Sequence, residues 1–276
     1  MTMRMLRETG KRSAGWLIGR SVPGYRYRNC LFVLAHMRCG STALANILCS
    51  RPEVSGYGEA HVRHDGRGAL GRLALNQMRR GGWKPRAAHL FDKILHSRHD
   101  EAAPPEFFEA RAIFLVRRPG DAIRSIASLF AGRDEYATPA AAAAYYIERL
   151  GALAALWHGF PPERRIGLTH EALLSDPDRA LAAISARLGF APPLENRYSS
   201  LAASRRGGGG DPLVSGRHAR IEPALSAPFR ADSPLELAPD VAEAAWEAYR
   251  RVCALFAPGY CRLETVQCTP VRINSQ

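Results

Sequence analysis

Short continuous apolar runs alternate along the chain with stretches of helical periodicity, which predicts parallel βαβ units. Cys30–Ala35 reads as a buried strand, followed from Gly40 by a helix to Ser50. Ala87–Leu95 and Arg111–Val116 read as further strands, and the second runs into a helix over Pro119–Phe130. An Ala-rich helix spans Thr138–Trp157, Arg165–Leu168 predicts a fourth strand, and Asp176-Pro177 opens a helix reaching Leu188. A helix over Pro239–Phe256 closes the pattern. Between them, Ala191–Ser233 is rich in Pro, Gly and Arg and reads as a long loop. The expected architecture is a single α/β domain over 29–276: a P-loop-like central parallel sheet flanked by helices, with a loop-rich C-terminal third. No internal repeat is visible.

Composition narrows the class. The 276 residues are 46% hydrophobic and 23% charged, close to the globular average. Six cysteines are too few for a disulfide-built scaffold, and no apolar run approaches the ~18 residues of a membrane span. The net charge of +12 favours an anionic partner. Of the 38 basic residues, all but Lys11, Lys84 and Lys93 are Arg, and they are scattered without a basic run. A small phosphorylated ligand fits this as well as DNA does. Residues 1–28 form a basic arm that includes Trp16, Leu17 and Ile18 but lacks the apolar core of a secretory leader. The expected location is cytoplasmic. The arm reads as loosely docked chain, with peripheral membrane contact as the alternative.

The first candidate chemistry follows the strand at 30–35. Arg38-Cys39-Gly40-Ser41-Thr42 lies where a strand turns into a helix, a geometry in which backbone N–H groups and the helix dipole hold a phosphate. It is not the nucleoside-triphosphate loop G-x-x-x-x-G-K-[ST]. Ala35 replaces its first Gly, Ser41 replaces its Lys, and no later strand ends in an Asp for magnesium. The segment instead resembles the 5′-phosphosulfate loop of sulfotransferases that use 3′-phosphoadenosine 5′-phosphosulfate (PAPS). The Arg-first form is similar to the carbohydrate-type and bacterial branch, and Cys39 departs from the usual Ser or Thr.

A second anchor has the same flavour. The strand at 111–116 runs into Arg117-Arg-Pro-Gly-Asp121 and, eight residues after Arg117, Ser125. An Arg at the carboxyl end of a parallel strand stands where open α/β sheets bind ligands. The pattern resembles the family's 3′-phosphate site, which implies that Arg117 and Ser125 hold that phosphate. Gly209-Gly210-Asp211-Pro212, with Arg217 and Arg220, resembles the segment that closes over the nucleotide.

Sulfuryl transfer to a hydroxyl needs a base and cations beside the departing phosphate. Glu59 lies where carbohydrate-type members have a catalytic Glu. His96, with Lys93 three residues before it, resembles the small-molecule branch, although Lys-x-x-His departs from that branch's Lys-x-His. Glu59 is the preferred base, with His96 and Lys93 positioning acceptor or sulfonate. An ordinary Glu is too acidic for this work without help, whereas an ordinary His is not. His61 and His64 read as loop residues. No zinc spacing is present, and the chemistry requires no metal. Cys30 and Cys49 read as small core residues, while Cys39 at a helix start is expected to have a lowered thiol pKa and to be open to labelling. The acceptor, a small-molecule or glycan alcohol, is expected to sit between loops at 56–86 and 191–235. The other readings are an ATP-dependent small-molecule kinase on a degenerate P-loop and a basic nucleic-acid-binding module.

Overall fold

A computed structural model describes residues 15–17, 24–66, 68–132, 135–200, 218–222 and 237–256. Five parallel strands make one sheet: β1 (Cys30–Ala35), β2 (Val54–Ser55), β3 (His89–Ile94), β4 (Arg111–Val116) and β5 (Arg165–Thr169), in the order β2-β3-β1-β4-β5. Helices α1 (Ser41–Ser50), α2 (Gly68–Arg80), α3 (Pro119–Phe130), α4 (Pro139–Gly159), α5 (His170–Ser175), α6 (Pro177–Leu188) and α7 (Pro239–Phe256) flank it. All six residues of β1 are wholly buried. A strand covered on both faces has no solvent side to alternate with, so it reads as one apolar run.

The helices dock through particular contacts. Phe256 of α7 lies flat against β5, where Gly167 has no side chain; a Cβ there would sit 2.2 Å from the Phe256 ring. Phe256 also packs against Trp157 of α4, with ring centroids 4.9 Å apart. This makes α4 and α7 one layer over the β4–β5 half of the sheet.

The differences from expectation are local. The fifth strand, β2, is two residues long, too short for any periodicity. Helix α2 occupies much of the stretch expected to be a variable loop over 56–86. The arm boundary at 28 falls inside the packed body. Tyr27 is 2% exposed, packs edge-on against the stacked rings of Phe32 and Phe107 and donates its hydroxyl to Gly66 O. Residues 15–17 form a helical turn against α2, with Trp16 and Leu17 exposed. Residues 1–14 and 18–23 of the arm and most of 191–235 lie outside the described residues. Among the described residues, no helix is long and apolar enough to cross a membrane.

Candidate active site

Strand β1 lies between β3 and β4. The chain leaves β1 toward the β3–β2 side and later crosses back to β4, so the carboxyl ends of β1 and β4 form the switch-point crevice of an open parallel sheet. The loop leaving β1 turns through two left-handed residues, Arg38 (φ 64°) and Gly40 (φ 82°). Gly40 is the N-cap of α1, and a Cβ there would stand 2.6 Å from His170 Nδ1, so both conformation and space demand glycine. Helix α1 begins with no side-chain cap and no acidic residue in its first turn. Its leading N–H groups and the positive end of its dipole are thus left for an anion.

The arginines of the two motifs meet there. Arg38 Nε donates to Ser125 Oγ at 2.8 Å, and Arg117 Nη1 donates to Arg38 O at 3.0 Å. The Nε of Arg117 is buried without a hydrogen-bond partner among the described residues. Orphaned donors of this kind are rare, and an anion would satisfy it. Ser125, expected beside Arg117, accepts instead from Arg38, whose carbonyl Arg117 holds, and this joins the two motifs into one cluster.

Two histidines that sequence reasoning passed over fix the backbone of this cluster. His36 Nε2 accepts the Arg117 N–H at 2.9 Å, so its hydrogen is on Nδ1, which donates to Met37 O at 2.7 Å. Burial pushes the His36 pKa down to about 3, which keeps it in that neutral form. His170, first residue of α5, donates Nδ1–H to Cys39 O at 3.0 Å. Burial and then the nearby Arg117 charge hold its pKa down to about 4.

Helix α4 supports the strand ends from behind. Tyr145 donates its hydroxyl to Leu95 O and accepts the Met37 N–H, and Tyr146 donates to Arg117 O. Arg149, wholly buried, donates to Ala35 O and Ile94 O and pairs with Asp100 at 2.8 Å. Three neighbouring strand ends are thereby tied to one helix. The sequence signal was faint: three hydrogen-bonding side chains, four residues apart at most, inside an Ala- and Leu-rich helix whose other polar side chains are Glu148 and His158.

The second half of the site lies across β3. Lys93, 3% exposed, donates Nζ to Thr42 Oγ1 at 3.2 Å and stands 3.4 Å from Glu59 Oε1. The loop carrying Glu59 is stitched to β3 by Lys93 N–H to Gly58 O and by Ala60 N–H to Asp92 Oδ1. One buried ammonium thus joins the carboxylate to the first turn of α1. His61 Nδ1 lies 3.9 Å from Glu59 Oε2 on the solvent side.

Several expectations need correction. His96 does not keep an ordinary imidazole basicity. Burial first, then the charges of Arg98 and its histidine neighbours, push its pKa down to about 3, and its ring lies 5.3 Å from that of Tyr145. His64 lies in the loop between β2 and α2 as expected, but that loop tucks it wholly into the interior, 3.0 Å from Asp92. Cys39 has no lowered pKa: it is wholly buried, and desolvation outweighs the helix start and pushes the thiol up, which removes the basis for ready labelling. Cys30 and Cys49 are buried as expected. Arg220 is exposed and pairs with Glu222 at 2.7 Å. Gly209 to Pro212, Arg217, Cys261 and Cys268 lie outside the described residues. Among the described residues, no group of three or more His, Cys, Asp or Glu could hold a metal ion.

Residues 84–193 match the sulfotransferase family model. Over those 110 of its 276 residues the chain is similar to that family. The matched stretch contains Lys93, His96, Arg117 and Ser125, while the loop at 38–42 and Glu59 precede it. Among solved structures, the sulfotransferase domain of the Synechococcus PCC 7002 olefin synthase is 21% identical, with a TM-score of 0.54 over 79% of this chain and 93% of that one. It shares the sulfotransferase fold. Two others are 17% identical: a sulfotransferase from Alicyclobacillus acidocaldarius (TM-score 0.44; 83% of this chain, 94% of that one) and the sulfotransferase domain of the curacin biosynthetic pathway (0.49; 80% and 97%). No curated protein matches.

Proposed function

We propose that the protein transfers the sulfuryl group of PAPS to a hydroxyl of a carbohydrate, glycolipid or secondary metabolite, as in the carbohydrate-type and bacterial branch. The observation that carries this reading is the pairing of an uncapped helix start with Arg38, Arg117 and Ser125 at the switch point, beside a carboxylate tethered to that helix by Lys93. Arg38 and the N–H groups of Gly40, Ser41 and Thr42 receive the 5′-phosphosulfate. Arg117 and Ser125 receive the 3′-phosphate. The acceptor oxygen bonds to sulfur as the bond from sulfur to the 5′-phosphate oxygen breaks, and the acceptor proton passes to Glu59. The charge gained by the departing phosphate falls beside Lys93, Arg38 and the α1 dipole, where fixed cations are most effective. His96, neutral near pH 7, orients the acceptor. Arg217 and Arg220 complete the nucleotide's phosphate contacts.

Thermal unfolding with 3′,5′-phosphoadenosine tests the donor. At ~100 times its Kd a ligand adds about 2.7 kcal/mol, which for a domain of this size raises Tm by roughly 5–11 °C. The rise is expected in the native protein and in Glu59→Gln but not in Arg38→Ala, while sulfuryl transfer is lost in both variants. No rise with phosphoadenosine, together with a rise with Mg·ATP or duplex DNA, overturns the reading in favour of phosphoryl transfer or nucleic-acid binding.

A further inference from the structure

The opposite edge of the sheet holds a cleft that sulfuryl transfer does not use. It has a volume of 620 Å³ and is lined by the first residues of β3 and β4 and by the turns at 24–29 and 83–88. Arg28, Lys84, Arg111 and Arg164 face it, and among the described residues no carboxylate lines it. The nearby Glu53 is engaged with Arg51 at 2.6 Å. Lys84 donates to Cys49 O and Arg51 O, and Arg164 donates to Glu109 O and Arg28 O; these bonds position the cations without neutralising them. Arg111 is left beside the His89 ring, 3.3 Å from its nitrogens. Burial and the Arg164 charge both disfavour its charged form, and burial and Arg111 do the same to His89. Charges crowded in this way are relieved by a bound anion. On the rim stands Trp83, 37% exposed, its indole N–H donated to the Tyr25 hydroxyl.

We propose that this cleft binds a small ester anion, a phosphate or sulfate monoester on a planar ring, with Arg111 and Arg164 on the ester oxygens and Trp83 against the ring. Its volume lies within the ~300–1,000 Å³ of small-molecule sites, and a planar fork of donors suits a tetrahedral oxyanion. Trp83 adds stacking area for a ring, which a bare inorganic ion would leave unused. The site is independent of the switch-point crevice and stands or falls without the PAPS reading.

The test follows Trp83 fluorescence while phenyl phosphate, phenyl sulfate, inorganic phosphate and phenol are titrated into the full-length protein. Saturable changes are expected with both esters, and the relative Kd values identify whether the site favours the dianion or the monoanion. Inorganic phosphate is expected to compete more weakly. The signal should vanish in Trp83→Phe and persist in Arg38→Ala, which separates this cleft from the switch point. Arg111→Gln and Arg164→Gln should each weaken binding about tenfold or more, the usual cost of losing a charged hydrogen bond; if one variant fails to fold, the other decides. Phenol binding as tightly as the esters overturns the proposal. So does a signal that survives Trp83→Phe, or unchanged affinity in the folded Arg variants.

Discussion

At the carboxyl edge of the sheet, Arg38, Arg117 and Arg149 are fixed by named partners: Ser125, the Arg38 carbonyl, and two strand-end carbonyls plus Asp100. At the amino edge, Arg111 and Arg164 line a cleft with no carboxylate among its described lining residues, and the Arg164 charge disfavours that of Arg111. The first arrangement is a scaffold, in which a cation's position depends on a buried hydrogen-bond network. The second is a set of charges held in place by backbone contacts, with its electrostatic demand unmet. Substituting the wholly buried Arg149 at the first edge should therefore break structure and binding together, whereas at the second edge a substitution should alter binding while leaving the fold alone.

The largest effect belongs to the scaffold. Arg149→Met leaves Asp100 as an uncompensated buried carboxylate and frees the carbonyls of Ala35 and Ile94; a loss of roughly 3–5 kcal/mol is expected in urea unfolding. The carboxyl of Asp100 is already pushed up by burial, so losing its cation leaves it still less able to ionise. The double variant Arg149→Met, Asp100→Leu should lose less than Arg149→Met alone. If it loses more, the clamp is not an ion pair in energetic terms.

Next comes the protonation of the histidines that hold the loop. His36 and His170 have folded pKa values of about 3 and about 4, against 6.5 for an ordinary imidazole. The unfolded chain thus binds more protons between those values. Stability should be flat with respect to these groups above pH 6.5 and should fall below it, by about 1.4 kcal/mol per pH unit for each histidine until its folded value is reached. Asp100, shifted upward, works in the opposite sense. Urea midpoints from pH 7 to 4.5 measure the slope, and His170→Gln should reduce it by about 1.4 kcal/mol per unit.

Gly40→Ala carries a smaller energetic cost with a sharper functional consequence. A left-handed backbone and a Cβ 2.6 Å from His170 are expected to cost about 1–3 kcal/mol. The turn must then shift, which displaces the N–H groups of the α1 start and weakens phosphoadenosine binding more than tenfold. Normal binding with lowered stability would show that the loop tolerates displacement.

The sequence was most legible where chemistry and periodicity coincide. The strands β1, β3, β4 and β5 announce themselves because both faces are covered, and Arg38, Gly40 and Arg117 because they directly follow strand ends. Strand β2 is too short for any period, and α2 was obscured by the glycines at 56, 58, 66, 81 and 82. Tyr145 reaches Met37 across 108 positions and Arg149 reaches Ala35 across 114, so no local pattern could connect them to the site. His36 and His170 serve backbone groups, a role that no residue spacing encodes. Cys39 was misjudged because a helix start lowers a thiol's pKa only where burial does not outweigh it.

The smallest expected effect is at the amino edge, and it bears most directly on the comparison. Arg111 begins β4, half buried, with the Arg164 guanidinium and the His89 ring as its polar surroundings. Gln keeps one donor and much of the aliphatic stem but removes a charge that burial and Arg164 both disfavour. Stability should change by no more than about 0.5 kcal/mol, in the stabilising direction at low salt. Urea unfolding at two salt concentrations reads this directly: a gain that shrinks as salt rises identifies like-charge repulsion as its source. A loss of several kcal/mol would mean that Arg111 is built into the strand start as firmly as Arg149 is built into the strand ends. The two edges would then differ in location only, not in kind.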